Sequence, residues 1–190
     1  SEFGWPLTPE KCSWAYHSQK MMDYHDNEWG VPCHDDQALF ERLTLETMQA
    51  GLSWATILNK RENFREAFDN FDIQTVAKYD EAKVQSLLQN EGIIRNQLKI
   101  RAAIANANAI LAIQEKYGSF DAFCWSFVDN KPIINEYTTM AEVPAFTPLA
   151  EKFRNALLKE GFKFVGSTIV YSFMQSVGMV NDHLTTCPCK

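Results

Sequence analysis

Apolar residues recur at helical spacing along most of this chain, with polar residues between them. The clearest case follows Asp35 and Asp36, either of which can cap a helix whose apolar positions begin at Leu39 and Phe40. The same spacing predicts six further helices, at Asn63–Phe68, Ile73–Tyr79, Glu81–Leu88, Asn96–Tyr117, Asp121–Phe127 and Thr147–Lys159. The pattern therefore favours a helical protein.

Two longer stretches refine this picture. The segment Gly166–Val180 is almost uniformly apolar, which is typical of a central buried helix. The stretch Asn130–Pro148 carries Pro132, Pro144 and Pro148, so we expect it to connect two subdomains. No pair of alternating segments joined by a hairpin turn occurs. We therefore predict an all-α fold of one or two subdomains.

Composition adds limits on size and location. The 190 residues are 46% hydrophobic and 13% aromatic, which is enough to bury a sizeable core without help. No apolar run reaches the roughly 18 residues that a membrane span requires, and residues 1–11 lack the apolar segment of a secretion signal. We expect a soluble, cytosolic protein with no membrane partner.

The five cysteines and the net charge constrain the chemistry. An odd number of widely spaced cysteines does not resemble the dense even framework of a small secreted domain, so a reduced, metal-binding use fits better. A net charge of −6 argues mildly against nucleic acid as a partner, because phosphate binding draws on excess Lys and Arg. Any nucleic-acid site must therefore be a local basic patch.

Metal-type residues are divided between the two ends of the chain, as Cys12, His25, His183 and Cys187. His183 and Cys187 are four residues apart, which places both on one face if that segment is helical. Cys189 is a rival to Cys187, and lone His and Cys residues are often simply buried structural groups. Four protein ligands would make a closed, structural site that ties the termini together.

Several longer motifs then point to a family. The segments Tyr24–Gly30 and Leu45–Trp54 resemble the DNA-3-methyladenine glycosylase I family. The resemblance continues through Gly92–Arg95, Trp125–Phe127, Gly161–Gly166 and Asn181–His183 to Cys187. It covers essentially the whole chain from Cys12 onward, in the same order. Several independent matches are far more specific than one short pattern.

The resemblance implies a helix-hairpin-helix DNA glycosylase fold with two subdomains. Residues 1–34 and 148–190 would form a helical subdomain around one structural Zn²⁺, and residues 35–147 would carry the hairpin. The family's zinc ligands fall on four residues of this chain, Cys12, His25, His183 and Cys187. Removal of such an ion should unfold the termini.

The hairpin itself is predicted from the two helices on either side of the turn Asn90–Ile93. Gly92 would permit a tight backbone, and the start of the second helix would present free amides to a DNA phosphate. Arg95, Lys99 and Arg101 follow as a local basic patch. The alternative is an ordinary solvated helix face, and the resemblance favours the phosphate site.

Chemistry on a base within a duplex requires the nucleotide to be extruded into a pocket, and four aromatic residues are candidates to line it. They are Trp14, Tyr24, Trp29 and Trp54. Aromatic faces attract cations, and adenine methylated at N3 is cationic, so stacking could favour the lesion. The alternative is that these rings are core residues, the usual place of aromatics in a helical protein.

Glu46 lies between apolar residues on a helix expected to face this pocket, where a carboxylate is costly without a partner or a function. The resemblance gives it the role of reading the edge of the flipped base; the alternative is a surface or salt-bridged glutamate. Gln49, Gly51 and Leu52 would contact DNA, with Leu52 filling the gap left by the base or, alternatively, lying in the core.

Two catalytic residue types are missing from the expected positions of this chain, and two pocket positions differ from the family's usual residues. No Asp occurs between Gly92 and Phe120, and no Lys occupies a nucleophile position, so we expect simple hydrolysis without strand cleavage. Met21 stands where many members carry tyrosine, and Thr47 stands where glycine is common. Both leave the detail of the pocket open.

The expected activity is hydrolysis of 3-methyladenine from alkylated double-stranded DNA, with free 3-methyladenine as product. We expect a monomer in the bacterial cytosol or nucleoid. A damaged-DNA-binding protein without catalysis and a zinc-stapled interaction module remain alternatives. The sequence assigns no role to Cys33, Cys124 or Cys189.

Overall fold

The computed structural model describes residues 11–190, in which helices dominate. The ten α-helices of this part are α1 (Gln19–Asn27), α2 (Asp36–Gln49), α3 (Trp54–Asn59), α4 (Arg61–Ala67), α5 (Ile73–Ala77), α6 (Glu81–Leu88), α7 (Gln97–Tyr117), α8 (Phe120–Trp125), α9 (Pro148–Lys159) and α10 (Ser167–Ser176). Two short strands, β1 (Ile133–Ile134) and β2 (Val180–Asn181), pair in parallel. The prediction of an all-α fold is confirmed.

Polar caps fix where several of these helices begin. Asp35 accepts a hydrogen bond from the amide of Ala38 at the start of α2, and Asn96 accepts one from the amide of Lys99 at the start of α7. Each cap satisfies an amide that the helix itself leaves unpaired. Helix α7 ends at Gly118, whose φ of 95° is costly for a residue with a side chain.

Helix α2 forms the centre of the molecule. Every residue from Leu39 to Met48 is buried, charged side chains included. Helix α10 packs on α2 and on α9, and α5 packs on α7. Because both faces of α2 are covered, any polar side chain on it must find a partner within the protein or at an internal site.

The structure also differs from the predicted helices. Helices α1 and α3 were not predicted, and α10 stops at Ser176 rather than continuing to Val180. His183 and Cys187 lie in the irregular segment after β2, so the condition under which their spacing would place them on one helical face is not met. The proline-bearing connection contains β1 and a short 3-10 turn at Met140–Glu142.

Two predictions concern regions or properties beyond these elements. Residues 1–10, which the predicted terminal subdomain includes, lie outside the described residues. Among the described helices, none combines the length and apolar character needed to cross a membrane.

Candidate active site and metal centre

Four buried ligand atoms from the two ends of the chain meet at one point. Nδ1 of His183 lies 3.1 Å from Nε2 of His25 and 3.7 Å from Sγ of Cys12. Sγ of Cys187 lies 3.5 Å from Nε2 of His25 and 3.5 Å from Nδ1 of His183. A tetrahedral ion with Zn–S and Zn–N bonds of about 2.3 and 2.0 Å would separate its ligand atoms by about 3.3–3.8 Å. The observed spacing fits that geometry.

The outer nitrogens of both histidines are held by acceptors. Nε2 of His183 donates to the carbonyl oxygen of Trp29 at 2.7 Å, and Nδ1 of His25 lies 2.9 Å from a carboxylate oxygen of Asp26. These contacts place a proton on Nε2 of His183 and on Nδ1 of His25. The other two nitrogens, Nδ1 of His183 and Nε2 of His25, therefore face each other unprotonated. Burial lowers the pKa of His183 to about 4 and also lowers that of His25, which disfavours a proton between them. A metal cation suits this donor set.

Neighbouring groups support the same four ligands. The amide of Leu184 donates to Sγ of Cys12 at 3.4 Å. Gly30 has a φ of 81°, and a side-chain carbon there would lie 2.8 Å from the ring of His183. Cys189 instead contacts Asp26, which already pairs with Lys11 at 2.6 Å. The structure therefore brings Cys187, not its rival Cys189, to both histidines, and the buried group can hold a metal ion.

A cavity of about 360 Å³ lies beside this cluster. It is lined by Trp14, Met21, Tyr24, Trp29, Glu46, Gln49, Trp54, Met140, Val143, Pro144, Ala145, Thr168, Ser172 and Gln175. All four aromatic residues singled out from the sequence line it, together with Glu46, Gln49 and Met21. The ring of Trp14 contacts that of His25 with centroids 5.0 Å apart, and Trp29 contacts His183 at 4.7 Å. The ligand cluster thus supports Trp14 and Trp29, which form the aromatic wall of the cavity.

Glu46 is the unusual group of this cavity. Its side chain projects from the last turns of α2, is 5% exposed, and makes no hydrogen bond with another residue between 11 and 190. Burial raises the pKa of Glu46 to about 8, against the opposing positive charge of Arg42. The indole nitrogen of Trp54 is likewise buried and has no partner among the described residues. Glu46 and Trp54 therefore each bring to the cavity lining a buried polar group that has no hydrogen-bond partner among the described residues.

Part of the cavity was not predicted. Thr168, Ser172 and Gln175 come from α10, where polar residues at helical spacing interrupt an apolar helix. That polar stripe was the available signal. The segment from Met140 to Ala145 closes another side, and no local pattern in the sequence indicates that it would reach α2.

The residues predicted to contact DNA lie in different environments. Gly51 has a φ of 80° in the loop between α2 and α3, and Leu52 beside it is 42% exposed. Arg95 is exposed and forms no ion pair with another described residue. These positions are open to a large ligand.

Lys99 requires a correction. Its ammonium is buried and donates to the carbonyl oxygens of Met48 at 2.8 Å and Ala50 at 2.6 Å, at the end of α2. Burial lowers the pKa of this lysine. A cation that caps the carboxyl end of one helix is not available to a phosphate, so Lys99 joins α7 to α2 instead.

The hairpin turn also differs in detail. The amide of Gly92 donates to the side chain of Asn90 at 2.8 Å, so it is not free to meet a phosphate. Glycine is favoured here because a side-chain carbon would lie 3.1 Å from Asn63 and from Asn90, and not because of a positive φ. Arg101 pairs with Glu81 at 2.8 Å.

Comparisons with known proteins agree with one another. A family model described as methyladenine glycosylase matches residues 14–190. DNA-3-methyladenine glycosylase from Haemophilus influenzae is 46% identical over 180 residues, covering 95% of this chain and 97% of that protein. DNA-3-methyladenine glycosylase 1 from Escherichia coli is 48% identical over 180 residues, covering 95% and 96%.

A solved structure gives the same result. It is a tyrosine-to-phenylalanine variant of 3-methyladenine DNA glycosylase I in complex with 3-methyladenine, and it superposes with a TM-score of 0.92 at 35% identity. The match covers 94% of this chain and 96% of that one. With the family model spanning nearly all the described residues, this chain belongs to the methyladenine glycosylase family.

Proposed function

We propose that this protein is a DNA glycosylase that removes 3-methyladenine from alkylated double-stranded DNA by hydrolysing its N-glycosidic bond. The observation that carries the proposal is the buried carboxyl group of Glu46, which lines an aromatic cavity and has no hydrogen-bond partner among residues 11–190. The relative solved in complex with 3-methyladenine supports this choice of base. A buried carboxyl without a partner is costly to fold, so it indicates a ligand that supplies the partner.

The base would have to leave the duplex to reach Glu46. Enzymes that act on bases extrude the nucleotide into a pocket and stabilise the opened duplex with an inserted side chain. Leu52, exposed beside Gly51 with its φ of 80° and close to Gln49 along the chain, would supply that side chain here. Arg95 supplies a charge to the phosphate backbone.

Recognition would depend on charge. Adenine methylated at N3 within DNA is a cation, whereas normal adenine is neutral. A cation in this low-dielectric cavity favours the ionised form of Glu46, which then accepts a hydrogen bond from the exocyclic amino group of the base. The rings of Tyr24 and Trp54, 5.1 Å apart and tilted by 46°, provide apolar surfaces for the base.

Bond cleavage needs little further assistance from the protein. The cationic base leaves C1′ of the sugar with the bonding electrons and becomes neutral 3-methyladenine, while a water oxygen bonds to C1′ and its proton passes to solvent. None of the described residues lining the cavity is a lysine, so no Schiff base and no strand cleavage belong to this mechanism. The enzyme is monofunctional.

The metal would be a single structural Zn²⁺. With Cys12, His25, His183 and Cys187 as ligands it would have no open position for water, and it would supply a cross-link of the termini and no chemistry. Because Trp14 and Trp29 pack against the two histidines, this cross-link would keep the aromatic wall in place. We further propose a monomer in the bacterial cytosol or nucleoid, with terminal segments 1–34 and 148–190 as one subdomain and 35–147 as the other.

The activity is tested by release of base from methylated duplex DNA, resolved by chromatography. We expect free 3-methyladenine and no 7-methylguanine from the wild type, and loss of release in Glu46→Ala. Glu62→Ala, at an exposed glutamate, is the matched control. Binding of methylated DNA without release would favour a damaged-DNA-binding protein, and no binding at low salt would favour an interaction module.

The metal is tested by elemental analysis of the purified protein. One zinc per chain is expected, and Cys12→Ser should lose it together with most of the thermal stability, since structural zinc contributes on the order of 10–16 kcal/mol in apparent binding energy. Cys33→Ser is the control, because Cys33 lies outside the cluster. Full zinc content in Cys12→Ser would contradict the ligand assignment.

A further inference from the structure

Arg42 lies four residues before Glu46 on α2 and is 7% exposed. Its Nη1 donates to the carbonyl oxygen of Ser176 at 3.0 Å and to the hydroxyl of the same residue at 2.5 Å. Its Nη2 lies 3.2 Å from a carboxylate oxygen of Glu28. The guanidinium also lies over the ring of Tyr24, 5.5 Å from its centroid. One buried side chain therefore joins α1, α2 and α10 behind the pocket.

The serine extends this contact to the pocket wall. The hydroxyl of Ser176 lies 2.8 Å from the phenol oxygen of Tyr24, so Arg42, Ser176 and Tyr24 form a continuous hydrogen-bonded chain. Tyr24 lines the cavity and is buried. Its ring is thus held at the hydroxyl by Ser176 and at the face by Arg42.

We propose that Arg42 is a positioning residue of the base pocket: it holds the ring of Tyr24 in place and, about one helical turn before Glu46 on α2, presents a positive charge to that carboxyl group. The inference rests on the proposed function, since it concerns how the same pocket is prepared for a cationic base. No other described guanidinium has this set of contacts with both α1 and α10.

A purely structural role would not need Arg42 to be charged. Glu28 already receives two hydrogen bonds from Arg61, at 2.7 and 2.8 Å, so it does not depend on the longer contact with Arg42. The carbonyl of Ser176 at the end of α10 could be capped by a neutral amide. Burying a charge that structure alone does not require is unfavourable, which points to a use for the charge itself.

The charge of Arg42 acts on Glu46 with a definite sign. Among residues lining the cavity only Tyr24 and Glu46 can ionise. Glu142, on the segment that closes one side, has its carboxylate turned to Thr138 and Thr139. Arg42 is therefore the cation that faces Glu46, and it favours the ionised carboxylate against the effect of burial. Glu28, next to Arg42, partly neutralises that cation.

Four variants separate the charge from the packing. The measurement is kcat/KM for release of 3-methyladenine from methylated duplex DNA between pH 5.5 and 9.5. The pH at which kcat/KM reaches half its maximum on the acid side is the midpoint that reports ionisation of Glu46. Arg42→Gln should move this midpoint upward by at least about half a pH unit, and Glu28→Gln should move it downward. Arg42→Lys retains the charge and should keep the wild-type midpoint. Ser176→Ala removes the hydroxyl that links Tyr24 to Arg42, while the carbonyl of residue 176 still accepts from the retained guanidinium, so it should raise KM at an unchanged midpoint.

The outcomes distinguish this inference from the function on which it rests. Wild-type protein that releases no base overturns the function. An active wild type whose midpoint is the same in Arg42→Gln and Glu28→Gln overturns the inference. If Arg42→Gln does not fold, the half-exposed Glu28 still gives the answer: a downward shift supports the inference, and an unchanged or upward midpoint overturns it.

Discussion

Glu41 and Glu46 lie on the same helix, five residues apart, and are buried to a similar extent, at 9% and 5% exposed. Glu41 accepts hydrogen bonds from Arg61 and Arg65 at 2.7–3.0 Å. Burial alone would raise the pKa of Glu41, but these arginines hold it below its usual value. Glu46 has no such partner in the described part of the chain, and burial raises its pKa to about 8.

The difference lies in what each carboxylate is for. Glu41 has its counter-charges within the protein and joins α2 to α4, so it belongs to the structure. Glu46 has no hydrogen-bond partner among the described residues and lines a cavity; under the proposed function, its carboxylate is kept for a ligand that brings positive charge. Burial by itself does not separate a structural carboxylate from a functional one; the presence of partners does.

Of the two glutamates, Glu41 should give the larger loss of stability when it is replaced by glutamine. Glu41→Gln leaves Arg61 and Arg65 without their shared counter-ion, and breaking a buried pair in this way costs about 3–5 kcal/mol of unfolding free energy. Urea unfolding at pH 7 measures the loss. Glu62→Gln is the control, since Glu62 pairs with Arg65 at the surface and should cost less than about 1 kcal/mol. Equal losses in the two variants would contradict the comparison.

Glu46→Gln should act in the opposite direction and stabilise the protein. The folded state holds a proton on Glu46 up to about pH 8, whereas the unfolded chain releases it near pH 4.5. Wild-type stability attributable to this group is therefore lost as the pH rises from about 4.5 to 8. The variant avoids that loss and should be more stable by about 3 kcal/mol at pH 7.

The pH dependence is the decisive part of that measurement. Thermal unfolding of both proteins between pH 4 and 9 should show curves that meet near pH 4 and separate as the pH rises. A gain that is constant with pH would mean that the substitution changes packing instead of removing a buried ionisable group.

Excision should depend on the pH through the same residue. If ionised Glu46 is the form that accepts the cationic base, kcat/KM rises through a midpoint near pH 8 in the free enzyme. The ionised fraction increases about tenfold between pH 7 and pH 9, and the rate should follow it. Base release is measured by chromatography after subtraction of the spontaneous loss. A flat profile over this range would remove Glu46 from recognition of the cation.

Lys99 and Arg95 extend the comparison to cations, with smaller effects. Lys99→Met should cost about 1 kcal/mol of stability, because its ammonium caps α2, and leave the salt dependence of DNA binding unchanged. Arg95→Gln should leave stability unchanged and reduce the slope of log affinity against log salt by about 0.9. Titration of labelled duplex at several salt concentrations measures both slopes.

Local patterns were sufficient for much of the fold. The helix at Glu81–Leu88 was predicted with the bounds that the structure has, and Asp35, one of the two caps offered for α2, is its N-cap. The helices predicted from Asn96 and Thr147 begin one residue later, with these two residues as their caps. Helix α1 was missed because its sequence is polar with few apolar positions, and its stability comes from packing of Met21 and Tyr24. The two-residue strands leave no periodicity that a sequence could reveal.

The candidate site shows the same division. Cys12, His25, His183 and Cys187 could be grouped from residue type and resemblance, and Glu46 could be chosen because it interrupts an apolar pattern. The burial of Lys99 could not be foreseen, since it depends on where α2 ends in space. The role of Arg42 is invisible in the sequence for the same reason, because its partners lie 14 and 134 residues away.

The ligand cluster has a consequence in time. His25 and His183 are separated by 158 residues, and ribosomes add about 5–20 residues each second. The first two ligands therefore wait about 8–30 s before the others emerge, with the thiol of Cys12 unprotected throughout. Closure of the cluster therefore waits for the segment that carries His183 and Cys187, and a chain released before that segment would lack the histidine against which Trp29 packs.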